Sequence, residues 1–383
     1  MHCAEGPVPK AAVNAARAFL DKELRPWNLG FAEWLALPKS ARDEAAELFG
    51  TSPEDITLVG STSAGLSIVA QSFPWHPDDE VVTALGEFPS NVWPWRALAS
   101  RGVRFREIPL WDGHAAGARA LSSTPPRVGL AAESRLLEAL GPTTRILTVS
   151  WVRFQDGLRL DLQALQRGCA SRGVALVVDG IQGAGTLPLD LTGVAAFATG
   201  VHKGLLAPQG LGLLWTAPEF RKRLNPLGSW MSVESGDDFS RPVTDLRRGW
   251  LKDGRKFEQG GMNGLGLVAL AESLKIIRAA GVPAIAAHID QTQALLLEGL
   301  SHTPIWQREA DRLEELRRTG RLGSIMSLHC AGQGEAFLKA QQHAGEAARI
   351  FTTVREGYLR IALHGYHREQ DLERLVHWMR AAA

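Results

Sequence analysis

The chain has 383 residues, and at about 100 to 200 residues per domain this length favours two domains. Its 42 Lys and Arg nearly balance its 41 Asp and Glu, and the formal charge of +1 argues against a dedicated nucleic-acid binder. The three cysteines form no pattern that indicates a structural zinc site or a disulfide framework. We find no secretory signal and no apolar run of roughly 18 residues, so we expect a cytoplasmic protein without a membrane partner.

Helices and short apolar strands alternate through the first two thirds of the chain. Helical spacing predicts helices over 11–24 and 38–50, the second ending at Gly50. Apolar runs rich in β-branched residues predict strands over 56–59, 80–85, 104–110, 145–152, 174–180, 195–200 and 210–216. A connecting helix is predicted over 161–173. This alternation predicts an α/β fold, with a mostly parallel sheet covered on both faces.

The remaining third of the chain has a different character. Residues 217–260 are polar and predict irregular structure, and a long amphipathic helix is expected over 264–281. Further helices (283–300, 334–345, 368–382) surround two predicted strands (324–330 and 358–366). We therefore expect an N-terminal segment at 1–15 that lies near the active site and the small domain, a large domain at 16–262 and a small α+β domain at 263–383.

Three predicted strand ends carry polar groups, and ligands of such sheets bind beyond the carboxyl ends of the strands. Asp179 ends the 174–180 strand and Gln182 follows, although an Asp there also commonly caps a helix. His202 and Lys203 occupy a Gly-rich turn with apolar flanks; most lysines lie on exposed loops, but an enclosed one can form a Schiff base.

The third strand end is followed by GSTSAG and an apolar helix. Hydroxyl groups and free N–H groups at a helix N-terminus make a phosphate site, although the same pattern also describes a capped helix without a ligand. Neither the dinucleotide nor the nucleotide glycine fingerprint is present. An anion site, a buried carboxylate and an enclosed lysine are what pyridoxal 5′-phosphate requires of a protein.

These motifs resemble those of the class V aminotransferase family of pyridoxal-phosphate enzymes, which includes cysteine desulfurases, isopenicillin N epimerase-like and kynureninase-like proteins. DGIQGAGTLPLDL resembles the family's Asp-x-x-Gln-x-x-Gly stretch, and VHKGLLAPQGLG resembles its His-Lys motif. The resemblance covers nearly the whole chain. It implies the fold of aspartate aminotransferase-like enzymes (fold type I), with a large cofactor-binding domain and a small C-terminal domain.

The resemblance also implies roles for individual residues. Lys203 would form the Schiff base and move protons at the substrate Cα, Asp179 would pair with the pyridinium nitrogen, and Gln182 would bind the phenolic oxygen. His202 would lie near the phosphate and the lysine. The phosphate would be bound by the loop of Ser61, Thr62 and Ser63, with Thr62 favoured. The ring of Phe88 would stack on the cofactor, with Asn91 near it in the motif. Gly261 stands where relatives have a Thr, so only its backbone N–H could contact the cofactor.

Two arginines are expected to bind the substrate. Arg360 matches the family arginine that holds the α-carboxylate, for which a guanidinium fork is suited, although an edge-strand arginine can also be a surface residue. Arg153, with Phe154, stands where relatives have an Asn or Gln, and is a hypothetical contact for an acidic group of the substrate. Relatives build the site at a homodimer interface, so a homodimer is expected here.

The reaction itself is less narrowly defined. Desulfurases need a cysteine in the loop before the carboxylate arginine, and HAGEAARIFTTVREGYLR contains none. We therefore expect an aminotransferase, the family default, acting on an amino acid through Cα carbanion chemistry. A lyase that breaks a Cβ–S or similar bond, an epimerase, and a binding protein that has lost catalysis stay open as alternatives.

Overall fold

The computed structural model describes residues 2–111, 131–242, 244–330 and 333–381. Its larger sheet has seven strands in the order β1-β7-β6-β5-β4-β2-β3. They are β1 (Ile56–Val59), β2 (Glu80–Ala84), β3 (Arg104–Ile108), β4 (Thr144–Ser150), β5 (Ala175–Asp179), β6 (Ala196–Gly200) and β7 (Gly212–Thr216). Strands β2 to β6 are parallel, and β7 is antiparallel to both β1 and β6. The predicted mostly parallel α/β sheet is confirmed.

Burial explains why these segments form inner strands. Every residue of β2, β6 and β7 is buried, which requires apolar or small side chains on both faces of the sheet. The β-branched and small residues of these runs fit that environment. The carboxyl ends of β2, β4, β5 and β6 consequently meet along one edge, where Asp179 and the turn after Gly200 lie.

Helices cover the large sheet. They are α1 (Lys10–Glu23), α2 (Phe31–Phe49), α3 (Thr62–Ser72), α4 (Trp93–Arg96), α5 (Ala131–Glu138), α6 (Leu162–Ala170), α7 (Pro218–Arg223) and α8 (Gly264–Ala280). The predicted start of α2 at 38 is wrong: the helix begins at Phe31 and contains Pro38. Its predicted end is right, because Gly50 adopts the left-handed conformation that closes it. Helix α8 packs against both α1 and α2.

The smaller sheet has three antiparallel strands in the order β8-β10-β9. They are β8 (Ile325–His329), β9 (Thr353–Arg355) and β10 (Tyr358–Ala362), and the helices around them are α9 (Val282–Ser301), α10 (Pro304–Arg318), α11 (Glu335–Ala347) and α12 (Glu369–Ala381). One apolar core runs from Leu147 of the large sheet to Leu359 of the small sheet. The domain boundaries at 15/16 and 262/263 stay a prediction.

The helices were compared with the length and apolar character of membrane-spanning helices. Across the four described ranges, none of them combines the length and the apolar character that crossing a bilayer requires.

Candidate functional site

Asp179 is the last residue of β5 and one of the most enclosed carboxyl groups of the fold. It is 2% exposed, and one of its oxygens accepts a hydrogen bond from the backbone N–H of Ile181 at 3.0 Å. Burial raises the pKa of Asp179 to about 7; the charge of Glu87 acts in the same direction, while Lys203 and the Ile181 N–H oppose it. A cationic or protonated partner placed beside Asp179 would find a strong acceptor there.

The turn between β6 and β7 carries His202 and Lys203. It packs closely on the turn after β5, since a Cβ added to Gly204 would lie 2.3 Å from the carbonyl oxygen of Ala184. The pKa of Lys203 is lowered to about 8: burial is the largest cause and Arg360 acts in the same direction, whereas Asp179 and Cys3 oppose them. Burial, followed by the charge of Lys203, also lowers the pKa of His202. The lysine is therefore enclosed, as predicted, and more readily neutral than an ordinary lysine.

Helix α3 begins directly after β1 and a Gly60–Ser61 turn. The Ser61 hydroxyl accepts from the N–H of Ala64 at 3.1 Å and so serves as the N-cap. The Ser63 hydroxyl donates to Ser90. The Thr62 hydroxyl is buried and has no hydrogen-bond partner in the described structure. Of the three predicted phosphate-loop side chains, Thr62 is the one whose polar group is left over.

Phe88 and Asn91 lie in the turn that follows β2, and their environments differ. The Phe88 ring is 41% exposed, contacts the edge of Phe154 and lies 5.7 Å from the Nζ of Lys203. Asn91 is fully buried, and its Oδ1 accepts from Thr148 at 2.5 Å and from the Trp95 indole at 3.1 Å. Phe88 thus faces the lysine, whereas the Oδ1 of Asn91 is engaged by Thr148 and Trp95.

Arg360 comes from β10 of the small sheet and reaches the same site. It is 5% exposed; its Nε donates to Thr353 at 3.1 Å and its Nη1 to the carbonyl of Phe154 at 2.9 Å. Burial lowers its pKa, and Arg355 does so as well. Its Nη2 makes no hydrogen bond within the described ranges, which leaves one donor edge available for a carboxylate.

Arg153 is placed differently from Arg360. Its side chain is 2% exposed and donates to Asp156 at 3.0 Å, to Gln155 at 2.8 Å and to the carbonyl of Leu85 at 3.2 Å. Burial lowers the pKa of Arg153, but the charges of Asp156 and Glu87 and the hydrogen bond to Asp156 together outweigh burial and raise it. To contact a substrate, Arg153 would have to leave this buried ion pair, so its predicted role stays a hypothesis.

An N-terminal strap, residues 2–6, crosses the site, and its individual contacts were not predicted from the sequence motifs. The N–H of Gly6 donates to the carbonyl of His202 at 2.8 Å. The thiol of Cys3 is buried, lies 3.8 Å from the Thr353 hydroxyl, and acts electrostatically on both Lys203 and Arg360. The strap therefore forms a wall of the site between the lysine and the arginine.

The environment of Gln182 bears on whether these residues fit pyridoxal phosphate, whereas Gly261 lies at a different cavity. Gln182 is buried; its Nε2 donates to the carbonyl of Cys3 at 3.1 Å and its Oε1 has no partner in the described structure. Gly261 lines a separate cavity of about 270 Å³ beside α3, together with Gly60, and an added Cβ at either glycine would meet nothing within 4 Å; Asp179, Gln182 and Lys203 are not among the lining residues. The unpartnered Thr62 and Gln182 oxygens, the buried Asp179 and the enclosed Lys203 together suit the cofactor.

Glu87 is a further residue of this site that motif reading missed. It precedes Phe88, is 7% exposed, and accepts hydrogen bonds from the backbone and the hydroxyl of Ser150. The signal available in the sequence was an acidic residue between a buried strand and an aromatic residue, and that pattern alone is common in exposed turns.

The chain is similar to a known protein family and to several known proteins. Residues 32–375 match the family model described as aminotransferase class-V. The chain is 31% identical over 259 residues to an isopenicillin N epimerase of Streptomyces clavuligerus, a match that covers 66% of this chain and 62% of that protein. It is 27% identical over 254 residues to a probable cysteine desulfurase of Methanothermobacter thermautotrophicus, covering 65% and 58%. The matches therefore span less than two thirds of the length of these two relatives.

Solved structures agree with the predicted fold. A cystine C–S lyase, solved with its product cysteine persulfide, superposes with a TM-score of 0.82 at 23% identity, covering 100% of this chain and 96% of that one. At this identity the likeness shows the fold, and the expected pyridoxal-phosphate transferase fold with its large and small sheets is confirmed.

Proposed function

Because the chain belongs to the class V aminotransferase family, whose cofactor is pyridoxal phosphate, we propose that it is an enzyme that acts at the Cα of an amino acid through Lys203. We propose transamination as its reaction. The observation that carries the proposal is the environment of the Lys203 amine, which faces the Phe88 ring and acts electrostatically on Asp179 and Arg360. Three of these groups lie at strand ends of the large sheet, and Arg360 lies within β10 of the small sheet.

Pyridoxal phosphate, when bound, supplies an aldehyde for the amino group and a ring that withdraws electrons from the bonds at Cα. The protein supplies the rest. Thr62 and the first N–H groups of α3 would bind the phosphate, and Asp179 would hold a proton at the ring nitrogen. Lys203 is the group placed to carry the cofactor and then to remove a proton from Cα and return it.

The substrate would be oriented by its carboxylate. Lys203 interacts electrostatically with both Asp179 and Arg360, whose Nη2 makes no hydrogen bond within the described ranges. An α-amino acid held there by its carboxylate would present its Cα toward the lysine. The buried thiol of Cys3 and the Phe88 ring would close the two remaining sides.

A second candidate function is the elimination of a sulfur group from Cβ. The relatives include a probable cysteine desulfurase, and a structural neighbour is named as a cystine C–S lyase. The described loop between α11 and Arg360 contains no cysteine to accept sulfur, so such a reaction here would be a simple β-elimination. Epimerisation, suggested by the name of the Streptomyces relative, is the third candidate.

A homodimer is part of this proposal. Three aromatic side chains lie partly exposed and in mutual contact on the surface: Phe31 packs on Phe239, which packs on Trp230. Large exposed aromatic groups are enriched at protein interfaces. Sedimentation of the cofactor-loaded protein tests this; a fully active monomer would contradict it. The cytoplasmic location stays a prediction.

The first experiment is an absorbance titration of the purified protein with pyridoxal phosphate, followed by borohydride reduction and peptide mapping. We expect a visible band and a reduced adduct on Lys203. Lys203→Ala should abolish the adduct, and Lys256→Ala, which removes another enclosed lysine, should leave it on Lys203. An adduct on any other lysine would contradict the proposal.

A product assay then separates the three reactions. Incubation with a panel of amino acids and an α-keto acid acceptor should yield a new amino acid if the enzyme is an aminotransferase. Pyruvate with released sulfide would identify the lyase, and loss of optical rotation without either product would identify the epimerase.

A further inference from the structure

A pair of buried carboxyl groups lies at the carboxyl edge of the large sheet. Ser150 ends β4 and is paired in register with Asp179, which ends β5. Glu87 lies beyond the end of β2, the other neighbour of β4, and its carboxylate accepts from the Ser150 backbone N–H at 2.8 Å and also from the Ser150 hydroxyl. Glu87 is therefore fixed next to Asp179 by the residue between them.

The surroundings of the pair decide which member is ionised. Glu87 receives two hydrogen bonds from Ser150 and faces the Arg153 guanidinium, both of which favour its charged form. Asp179 accepts a single backbone hydrogen bond, and the cation that faces it is Lys203. Two neighbouring carboxyl groups away from water do not both ionise readily, so one proton is retained, and it lies on Asp179.

We infer that Glu87 is a positioning residue for the cofactor ring: held beside Asp179 by Ser150, it keeps one proton between the Asp179 carboxyl group and the ring nitrogen. The inference deepens the proposed function and rests on it. In the cofactor-free protein the proton is on Asp179. With the cofactor bound, the Asp179 carboxyl group and the ring nitrogen would share one proton, and the negative charge of Glu87 would oppose its loss.

Other charged groups also act on Glu87 and Asp179. Arg153 also pairs with Asp156 and faces the Tyr358 hydroxyl, so only part of its charge is available to neutralise Glu87. Burial is the largest cause that raises the pKa of each carboxyl group of the pair, and for Asp179 the charge of Glu87 adds to it. Replacing Glu87 by a neutral group of the same shape should therefore release the proton at lower pH.

The test measures affinity for pyridoxine 5′-phosphate, which has the ring nitrogen and phosphate but no aldehyde to react with Lys203. Binding is followed by quenching of tryptophan fluorescence between pH 5.5 and 9.5. In the wild-type protein the Kd should fall as the pH rises to about 7 and then level off, because the ring nitrogen of the free probe is already protonated at neutral pH and Asp179 must lose its own proton to pair with it. Glu87→Gln should move this inflection to lower pH by about one unit.

Two variants serve as controls for charge and for damage to the fold. Glu87→Asp retains the charge and should restore the wild-type inflection. Glu309→Gln removes a different buried carboxylate, one paired with Arg312 near the small sheet, and should leave the inflection in place. An unchanged inflection in Glu87→Gln would overturn the inference.

A second route covers the case in which Glu87→Gln does not fold. The double variant Arg153→Gln/Asp156→Asn removes the cation that faces Glu87 together with its partner, and should move the inflection to higher pH; a shift to lower pH would overturn the inference. Failure of the wild-type protein to bind the probe at any pH would instead overturn the proposed function.

Discussion

The Nζ of Lys203 lies 5.7 Å from the centroid of the Phe88 ring, across the space where the two motifs of the site face each other. Phe88 is supported from behind by the ring of Phe154, at 5.2 Å and nearly perpendicular to it. An aromatic ring that is fixed on one face and open toward a lysine can stack on a planar group attached to that lysine.

Replacement of Phe88 should therefore weaken cofactor binding. We expect Phe88→Leu to raise the Kd for pyridoxal phosphate roughly three- to tenfold, the loss associated with one aromatic stacking contact. Fluorescence titration measures it. Phe337→Leu, a change on α11 where the ring packs on Trp306, is the matched control and should leave the Kd unchanged. Equal Kd values for the two variants would argue against stacking.

Arg360 should govern the affinity for substrate rather than for cofactor. Arg360→Lys retains the charge but loses the planar fork, so we expect the KM for the amino acid to rise roughly 10- to 100-fold. The Kd for pyridoxal phosphate should stay within twofold. Arg374→Lys on α12, where the guanidinium donates to the carbonyl of Ala348, provides a control that should change neither constant. A loss confined to cofactor binding would contradict the role given to Arg360.

Gly6 should tolerate no side chain. A Cβ at this position would lie 2.4 Å from the carbonyl oxygen of Lys203 and 2.7 Å from Leu206, so Gly6→Ala must push the strap away from the turn that carries His202 and Lys203. We expect a loss of about 1 to 3 kcal/mol in the free energy of unfolding and weaker cofactor retention. Gly30→Ala has open space around it and should change both by little. Similar stability of the two variants would show that the strap is not held against the turn.

The stability of the cofactor-free protein should fall as the pH rises from about 4 to 7. The pKa of Asp179 is raised to about 7 in the folded chain, so the folded state keeps a proton that the unfolded chain releases near pH 4. Stability linked to this proton is complete below pH 4 and is lost as the pH rises through 7, a change of roughly 4 kcal/mol.

Urea unfolding at pH 5 and pH 8 measures this dependence, and Asp179→Asn should flatten it. Asp190→Asn is the control: the N–H of Thr192 lowers the pKa of that exposed carboxyl group, so its removal acts in the opposite direction. A wild-type slope that persists in Asp179→Asn would assign the proton to another group.

The sequence predicted the parts of the site that lie at strand ends. Asp179 and Lys203 each follow a buried apolar run, and parallel strands bring such ends to one edge whatever the rest of the chain does. The start of α2 could not be predicted in this way, because Pro38 is typical of a first helical turn and here lies inside the helix.

Contacts between distant segments were beyond sequence reasoning for a different reason. The position of Cys3 beside Arg360 depends on a strap with no periodic pattern meeting a strand some 350 residues later. Likewise Glu87 and Asp179 are neighbours only because β4 lies between β2 and β5 in the sheet order, which no local spacing records.

The strap also joins the two sheets mechanically. His2 lies within hydrogen-bonding distance of Ser324, ahead of β8, while four residues later Gly6 is bonded to the carbonyl of His202. A rotation of the small sheet toward or away from the large one would be transmitted through this tether to the lysine turn. The proposed binding of substrate by Arg360 would then be coupled to the position of the Lys203 amine, so ligands that draw the two sheets together should also slow proteolysis of the strap.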